Sequence, residues 1–370
     1  MAKQKPGEKL HVLVVDDSAV VRQVMQTILQ TDRRITVSVA ADPLIAMAKM
    51  QKSRPDVIIT DLEMPRMDGL TFMRKIMLDS PLPVVICSGF AAKGTDLALR
   101  ALEEGAVEII TKPRLGVRDF LHESAVQLLD VVWSAAEARI VARPGIIAPD
   151  RLTADAVFPL PRKSSHPIAC QGLIAVGAST GGTEALRVFL SAMPASCAPI
   201  VIVQHMPENF TRAFADRLNR ECAIEVKEAS DGLQLHNGLA VIAAGNFHCV
   251  VNRNRTSLSI NIMNGPLVSR HRPSVDVLFR SVAVHVGGKA VGVLMTGMGD
   301  DGAQGLLEMK QSGAFTIAQD EATCIVFGMP REAIARGAAD LVLPLEQIAP
   351  QAVDWCRRHA SNASNDENVD

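Results

Sequence analysis

The chain has 370 residues, 48% of them hydrophobic and 21% charged, which excludes a wholly disordered protein and leaves apolar material for at least two cores. Lys and Arg number 38 against 40 Asp and Glu, and aromatic residues are 4% with no tyrosine, so nucleic acid is not the expected partner. Seven cysteines without a CxxC pair predict free thiols in a reducing compartment. Without a secretory signal or an apolar run near the ~18 residues of a membrane helix, we expect a cytoplasmic protein not inserted in a membrane.

The first third of the chain alternates short apolar strands with helical segments. The predicted strands are Leu10–Val15, Val37–Ala40, Val57–Thr60, Val84–Ser88 and Val107–Ile110. The helices between them are Ala19–Gln30, Leu44–Ser53, Leu70–Leu78 and Thr95–Glu104. Five strands with intervening helices predict a doubly wound parallel sheet, in which functional groups lie at the carboxyl ends of the strands.

A second α/β series follows a proline-rich connector. The connector is Arg143–Pro167, with five prolines that favour a semi-rigid linker. The later strands are predicted at Gly172–Val176, Ile200–Gln204, Ile224–Lys227, Leu239–Ala243, Val291–Met295, Phe315–Ala318 and Leu341–Leu343, with a hairpin inserted at Phe247–Asn252 and Leu258–Ile262. We therefore expect a (βα)5 domain over 8–126, a helix end and linker over 127–167, a parallel-sheet catalytic domain over 168–358, and a disordered acidic tail over 359–370.

Three carboxylates, a hydroxyl and an ammonium group fall at strand ends of the first domain. Asp16 and Asp17 follow the first strand and Asp61 the third, while Ser88 ends the fourth and Lys112 follows the fifth. Helix capping would explain any one of these aspartates, but it explains the combination of five groups poorly. Carboxylate oxygens suit a hard cation such as Mg²⁺, and a hydroxyl with an ammonium group suits phosphoryl oxygens.

This segment resembles the receiver domain of bacterial response regulators. The matching motifs are VVDDS, TDLEMPRMDG, VVICSG and TKP. The resemblance implies that Asp61 accepts a phosphoryl group from a histidine kinase, with Mg²⁺ held by Asp16, Asp17 and Asp61. It further implies that Ser88 and Lys112 contact the phosphoryl group. Ile109 stands where many receivers carry an aromatic switch residue, so we expect the change to travel through Ser88 and its neighbouring loops.

The segment LIAVGASTGGTEAL (Leu173–Leu186) predicts a strand, a tight turn and a helix. A P-loop would need a lysine after its last glycine, and a dinucleotide fingerprint would need G-x-G-x-x-G. The sequence around Ser179 instead fits the G-x-S-x-G nucleophile elbow, a short pattern that also occurs in ordinary glycine turns.

Candidate partners for Ser179 follow two later strands. His205 comes directly after one strand, and the adjacent acids Asp300 and Asp301 follow another. His271, in the loop before a helix, is a rival base. The order Ser, His, Asp differs from the Ser, Asp, His order of the α/β-hydrolases.

The motifs GASTGG, VQHMP, HRPSVDVLF and TGMGDDG, in this order after a receiver, resemble the chemotaxis protein-glutamate methylesterases of the CheB family. The resemblance implies Ser179 as nucleophile, His205 as base, Asp301 rather than Asp300 as the orienting acid, and the Met298 backbone N–H near the oxyanion. It assigns no catalytic role to His271.

The implied function is phosphorylation-activated hydrolysis of glutamyl γ-methyl esters, and deamidation of glutamines, on the cytoplasmic helices of methyl-accepting chemoreceptors. No cofactor is expected for the esterase reaction. Two alternatives are a non-catalytic module that reads the receiver's phosphorylation, which would not need a serine, a histidine and an aspartate at strand ends, and a DNA-binding output domain. The absence of a basic helix-turn-helix pattern argues against the latter.

Overall fold

The computed structural model describes residues 9–89, 92–112, 118–139, 172–208, 210–254 and 257–366. The predicted linker at Arg143–Pro167 lies outside these ranges. No helix within them combines the length and the hydropathy that a bilayer span requires.

The first domain is a parallel five-stranded sheet with the strand order β2-β1-β3-β4-β5. The strands are β1 (Leu10–Val15), β2 (Ile35–Ala40), β3 (Val57–Asp61), β4 (Val84–Ser88) and β5 (Glu108–Thr111). The helices are α1 (Ala19–Leu29), α2 (Pro43–Lys52), α3 (Gly69–Asp79), α4 (Ala92–Glu103) and α5 (Arg118–Glu137). Strands β2 and β3 lie on opposite sides of β1, so the direction in which strands are added to the sheet reverses there. A crevice therefore opens between the carboxyl ends of β1 and β3.

The second domain contains a parallel seven-stranded sheet with the order β14-β13-β12-β6-β7-β9-β8 and a separate antiparallel pair, β10-β11. Its strands are β6 (Leu173–Ala178), β7 (Ile200–Gln204), β8 (Glu225–Glu228), β9 (Leu239–Ile242), β10 (His248–Asn254), β11 (Ser257–Met263), β12 (Ala290–Leu294), β13 (Phe315–Gln319) and β14 (Leu341–Leu343). Its helices are α6 (Gly182–Ser191), α7 (Phe210–Glu221), α8 (Val275–His285), α9 (Ala303–Gln311), α10 (Met329–Ala335) and α11 (Leu345–Asp366). The two-domain α/β prediction and the inserted hairpin are confirmed.

The central strands are apolar because helices cover both faces of the sheets. Every residue of β6, β7, β9 and β12 is buried, the pattern of parallel strands covered on both sides. Strand β6 lies between β12 and β7, so the carboxyl ends of these three strands meet at one edge.

The predicted disordered tail is partly wrong. Helix α11 continues to Asp366, so residues 359–366 are helical, and 367–370 lie outside the described ranges. The segment from His359 to Asp366 contains no glycine or proline, and an established helix adds residues at little cost. Polar composition alone was therefore a poor guide to where this helix ends.

Candidate functional site

The loop after β6 carries Ser179 and is held in place by backbone hydrogen bonds. Its backbone N–H donates to Thr296 O at 3.0 Å, and the next turn closes through Gly182 N to Ser179 O at 2.7 Å. Gly181 has φ 78°, which favours glycine, and a Cβ there would lie 2.5 Å from Ile325 Cβ. The Ser179 residue is only 8% exposed.

A single side chain connects the serine and histidine loops. Gln204, the last residue of β7, is fully buried. Its Nε2 donates to Ser179 O at 2.9 Å and to His205 O at 3.1 Å. His205 N also donates to Ala178 O at 3.1 Å. The backbones that carry the serine and the histidine are therefore fixed to each other. The sequence analysis missed Gln204, although a buried polar residue at the end of an apolar strand is a usable signal.

The structure brings His205 against Asp301 rather than Asp300. His205 Nε2 lies 2.8 Å from Asp301 Oδ2, and the two side chains are 8% and 0% exposed. Asp300 instead accepts a hydrogen bond from Arg336, and its side chain is 56% exposed. The other ring nitrogen of His205, Nδ1, is buried and has no hydrogen-bond partner among the described residues. That nitrogen therefore has no donor or acceptor assigned to it among the described residues.

Helix α8 supplies the donors that hold Asp301 ionised. Asp301 Oδ1 accepts from Ser274 Oγ at 2.7 Å and Asp276 N at 3.0 Å, and Oδ2 accepts from Val275 N at 2.8 Å. These backbone groups belong to the first turn of α8, where N–H groups lack partners within the helix. Burial by itself raises the pKa of Asp301, but the hydrogen bond and charge of His205 and these donors outweigh it and lower the pKa.

Asp276 also helps to hold Asp301 in place. Its Oδ1 accepts from Gly302 N at 3.0 Å and from Gly305 N at 2.7 Å, so it anchors the loop that carries Asp301. Burial first, and the neighbouring Asp301 charge second, raise the pKa of Asp276. Its signal in the sequence was an acid in the first turn of a helix, which is too common to assign a role.

His271 is stacked on the candidate base. The imidazole rings of His205 and His271 have centroids 3.6 Å apart and an interplanar angle of 5°. His271 Nδ1 lies 2.7 Å from Ser269 O, which places the proton on Nδ1 because a carbonyl only accepts. Burial, followed by the nearby His205, lowers the pKa of His271 to about 3, so its ring is neutral at physiological pH.

Met298 lies in the loop after β12. The preceding residue, Gly297, packs so closely on the serine that a Cβ on it would lie 2.7 Å from Ser179 Cβ. The oxygen of Gly297 accepts from Met329 N at 2.8 Å, which fixes the loop. The Met298 backbone is therefore held beside the serine turn.

The acidic cluster of the first domain forms at the crevice between β1 and β3. Ligand oxygens of Asp16, Asp17 and Asp61 lie within 4.8 Å of one another. Asp16 and Asp61 are buried and Asp17 is exposed. Burial is the largest influence on Asp16 and raises its pKa, although Lys112 opposes this. Three converging carboxylates, two of them shielded from water, are a donor set that fits Mg²⁺.

Lys112 and Ser88 complete this cluster from the neighbouring strands. Lys112 Nζ lies 2.7 Å from Asp61 Oδ2 and 3.0 Å from Asp16 Oδ2. These two partners raise the pKa of Lys112 against the effect of burial, so it stays charged. Ser88 is buried at the end of β4, one residue beyond Cys87, which pairs with Asp61 at the end of β3. All five predicted residues thus lie around one crevice.

The first domain contacts the second beside the serine turn. Ser134 Oγ, on α5, lies 2.7 Å from Thr180 Oγ1, and the side chain of Glu108, the first residue of β5, also bonds to Thr180. Burial raises the pKa of Glu108 to about 7 against the opposing bonds from Ile109 N and Thr180. The sequence favours a receiver docked near Ser179 but does not indicate the residues of the contact, because neither domain alone shows which of its faces is covered.

Ion pairs surround that contact. They are Asp130 with Arg270, Arg139 with Glu321, and Glu103 with Arg217. Arg139 N also donates to Ile325 O at 3.1 Å, close to the Gly181 turn. Together these contacts hold α5 against the loops around Ser179 and α4 against α7.

Two protein families match the two halves of the chain. Residues 12–121 match the response regulator receiver domain, and residues 174–352 match the CheB methylesterase. The chain belongs to the CheB methylesterase family. A protein-glutamate methylesterase/protein-glutamine glutaminase of Geobacter metallireducens is 56% identical over 353 residues, which cover 94% of this chain and 99% of that protein. A Rhodospirillum rubrum protein of the same description is 54% identical and covers 92% and 97%.

Solved structures match each domain of this methylesterase. The Thermotoga maritima CheB methylesterase catalytic domain is 36% identical, with a TM-score of 0.49, and covers 50% of this chain and 98% of that one. The response regulator domain of the Thermotoga maritima CheB is 34% identical, with a TM-score of 0.32, and covers 36% and 99%.

Proposed function

We propose that this chain hydrolyses glutamyl γ-methyl esters and deamidates glutamines on cytoplasmic chemoreceptor helices, using Ser179, His205 and Asp301. The observation that carries the proposal is which nitrogen of the His205 ring holds the proton. Because Asp301 accepts at Nε2, the proton resides on Nε2 and the lone pair on the buried Nδ1. A lone pair on a fixed imidazole beside a serine turn is what a general base requires.

In the proposed reaction, Ser179 Oγ attacks the side-chain carbonyl carbon of the substrate while His205 Nδ1 takes the hydroxyl proton. The Met298 backbone N–H would donate to the developing oxyanion. His205 then returns the proton to the leaving group, which departs as methanol from an ester or as ammonia from an amide. Water activated by His205 attacks the acyl-enzyme, the Ser179 ester bond breaks, and the glutamate product and the free serine result.

The buried Asp301 has two tasks in this proposal. It keeps the proton on Nε2, and its negative charge stabilises the imidazolium that forms when His205 accepts the serine proton. Its hydrogen bonds to the first turn of α8 hold the carboxylate ionised and prevent its rotation.

We propose that the receiver domain regulates this chemistry through phosphorylation of Asp61 by a chemotaxis histidine kinase. Asp16, Asp17 and Asp61 would hold Mg²⁺, which when bound neutralises charge on the transferred phosphoryl group. Asp61 attacks phosphorus as a carboxylate nucleophile and the kinase histidine leaves. Lys112 and Ser88 then bind phosphoryl oxygens, so Lys112 exchanges its present bond to Asp61 for a bond to the phosphoryl group.

Occlusion of Ser179 supports this regulatory role. Ser179 and Thr180 are 8% and 3% exposed, and Thr180 contacts α5 and β5 of the receiver. A protein helix cannot bring a side-chain ester to a serine covered in this way. Phosphorylation would shift the receiver away from the serine turn, for which a few kcal/mol is sufficient.

The test is methanol release from methylated receptor cytoplasmic fragments by the full chain and two serine variants. Ser179→Ala should abolish release while the far-UV circular dichroism is unchanged. Ser230→Ala, which alters an exposed serine after β8, is the matched control and should retain the wild-type rate. Retention of even a tenth of the rate by Ser179→Ala would remove this serine from the mechanism.

A further inference from the structure

Arg270 sits at the tip of a two-residue turn next to the proposed base. Val268 and His271 exchange backbone hydrogen bonds of 3.1 and 2.8 Å, which closes the turn. The residues between them, Ser269 and Arg270, have φ of 49° and 67°. Left-handed backbone at two successive residues other than glycine is uncommon and unfavourable. Glycine or asparagine would suit this backbone better, so what an arginine adds there is its side chain.

The turn is held rigidly against the catalytic apparatus. Its closing residue, His271, stacks on His205, and Ser269 Oγ lies 3.1 Å from Asp276 Oδ2. Asp276 in turn anchors the Asp301 loop. The backbone of Arg270 is therefore fixed relative to His205 and to the loop that carries Asp301.

Arg270 differs from the other arginine of this loop. Arg272 is used internally, because its guanidinium donates to Asn246 Oδ1 and to Gly265 O. The Arg270 side chain is 69% exposed and reaches outward to the receiver, where its Nη1 lies 3.2 Å from Asp130 Oδ1. Burial raises the pKa of Asp130 against the opposing charge of Arg270. The receiver thus places a carboxylate on the guanidinium of the residue that precedes His271, whose ring stacks on His205.

We propose that Arg270 binds a carboxylate of the protein substrate, close to the reacting glutamyl group, and that Asp130 of the receiver occupies the same position when the site is closed. The inference rests on the proposed function. A guanidinium prefers a carboxylate because two parallel hydrogen bonds match its planar fork. The substrate class supplies such groups, since each hydrolysed ester leaves a glutamate on the protein. Removal of the receiver would release Arg270 for this contact.

The experiment separates the two partners of Arg270 in the full-length chain. Asp130→Asn removes the receiver's carboxylate and should raise the rate of the unphosphorylated chain on methylated receptor fragments. Adding Arg270→Asn to that variant tests the arginine alone, because asparagine tolerates the left-handed turn. The double variant should show a KM for the receptor fragment raised about threefold to tenfold over Asp130→Asn, with kcat changed less than about twofold. Arg270→Lys in the same background should restore part of the loss.

A second part of the experiment changes the substrate and so identifies the carboxylate that Arg270 binds. Changing glutamates near the methylated position of the receptor fragment to glutamine should raise KM for Asp130→Asn but not for the double variant. Equal losses in both variants, or a KM unchanged by Arg270→Asn, would overturn the inference and leave Arg270 as a receiver contact only. Hydrolysis of a small neutral glutamyl methyl ester should be equal in the two variants, and a loss there would mean a damaged catalytic site and also contradict the inference. If Asp130→Asn released no methanol, or Ser179→Ala kept a tenth or more of the wild-type rate, the proposed function itself would be wrong.

Discussion

The rings of His205 and His271 lie parallel at 3.6 Å, so the candidate base has a second imidazole covering one face. His271 is neutral at physiological pH, and a neutral ring stabilises an imidazolium on its face rather than repelling it. The stack also fixes the plane of His205 while Asp301 fixes one of its edges.

We therefore predict that His271→Ala lowers kcat about threefold to tenfold with little change in KM, the size expected for loss of one aromatic pair. His271→Phe keeps a ring without titratable nitrogens and should retain most of kcat and the wild-type pH profile. Steady-state kinetics on methylated receptor fragments at several pH values checks both. A His271→Ala variant as fast as wild type would show that the stack is incidental.

His205→Gln should reduce methanol release by roughly a thousandfold or more, because removal of one member disables the unit. Asp301→Asn should leave more activity, since this residue orients the ring and does not react. Asp300→Asn is the adjacent control: its carboxylate pairs with Arg336 on the surface, so its rate should stay near wild type. A larger loss for Asp300→Asn than for Asp301→Asn would contradict the assignment.

Asp61→Asn should take no label from a phosphohistidine kinase or acetyl phosphate in the presence of Mg²⁺, since the amide is not a nucleophile. Asp79→Asn alters an exposed acid that pairs with Lys75 and should be labelled normally. Labelling of wild type should cease on chelation of Mg²⁺. Alkali-labile label that persists in Asp61→Asn would place the acceptor at another residue.

Glu108 predicts a pH dependence of the free energy of unfolding. Burial raises its pKa from 4.5 to about 7, against the opposing hydrogen bonds from Ile109 N and Thr180, so the folded chain binds a proton that the unfolded chain releases between these pH values. The stabilisation is complete below pH 4.5, falls as the pH rises towards 7, and changes little above it. Urea unfolding should therefore show wild type losing stability relative to Glu108→Gln, which stays neutral, from about pH 5 to 7. A stability difference between the two chains that is constant over this range would exclude Glu108 as the cause.

Local patterns predicted much of the fold and many of the residues that meet. Apolar runs located the central strands of both sheets, because buried parallel strands carry a continuous signal, whereas the edge strands β2, β8 and β14 are only partly buried. Strand ends placed Asp61 near Lys112 and His205 near Asp301, because parallel topology gathers carboxyl ends at one edge. These relationships depend on the order of elements rather than on side-chain detail.

Contacts that depend on packing between distant segments were not predictable. His271 reaches His205 through a loop 66 positions along the chain, and nothing in HRPSVD specifies which ring it covers. Likewise, Glu108 is one polar residue within a predicted strand, and the sequence does not indicate that it bonds to Thr180 of the other domain. Such contacts form only when segments distant in the sequence pack against each other, so neither segment alone indicates them.

The double hydrogen bond from Gln204 has a mechanical consequence. One amide nitrogen joins Ser179 O to His205 O, so the two loops move as a single rigid body anchored on β7. Displacement of the receiver from the neighbouring Thr180, as proposed above, would leave the separation of Ser179 and His205 unchanged, so the site would need no rearrangement before reaction.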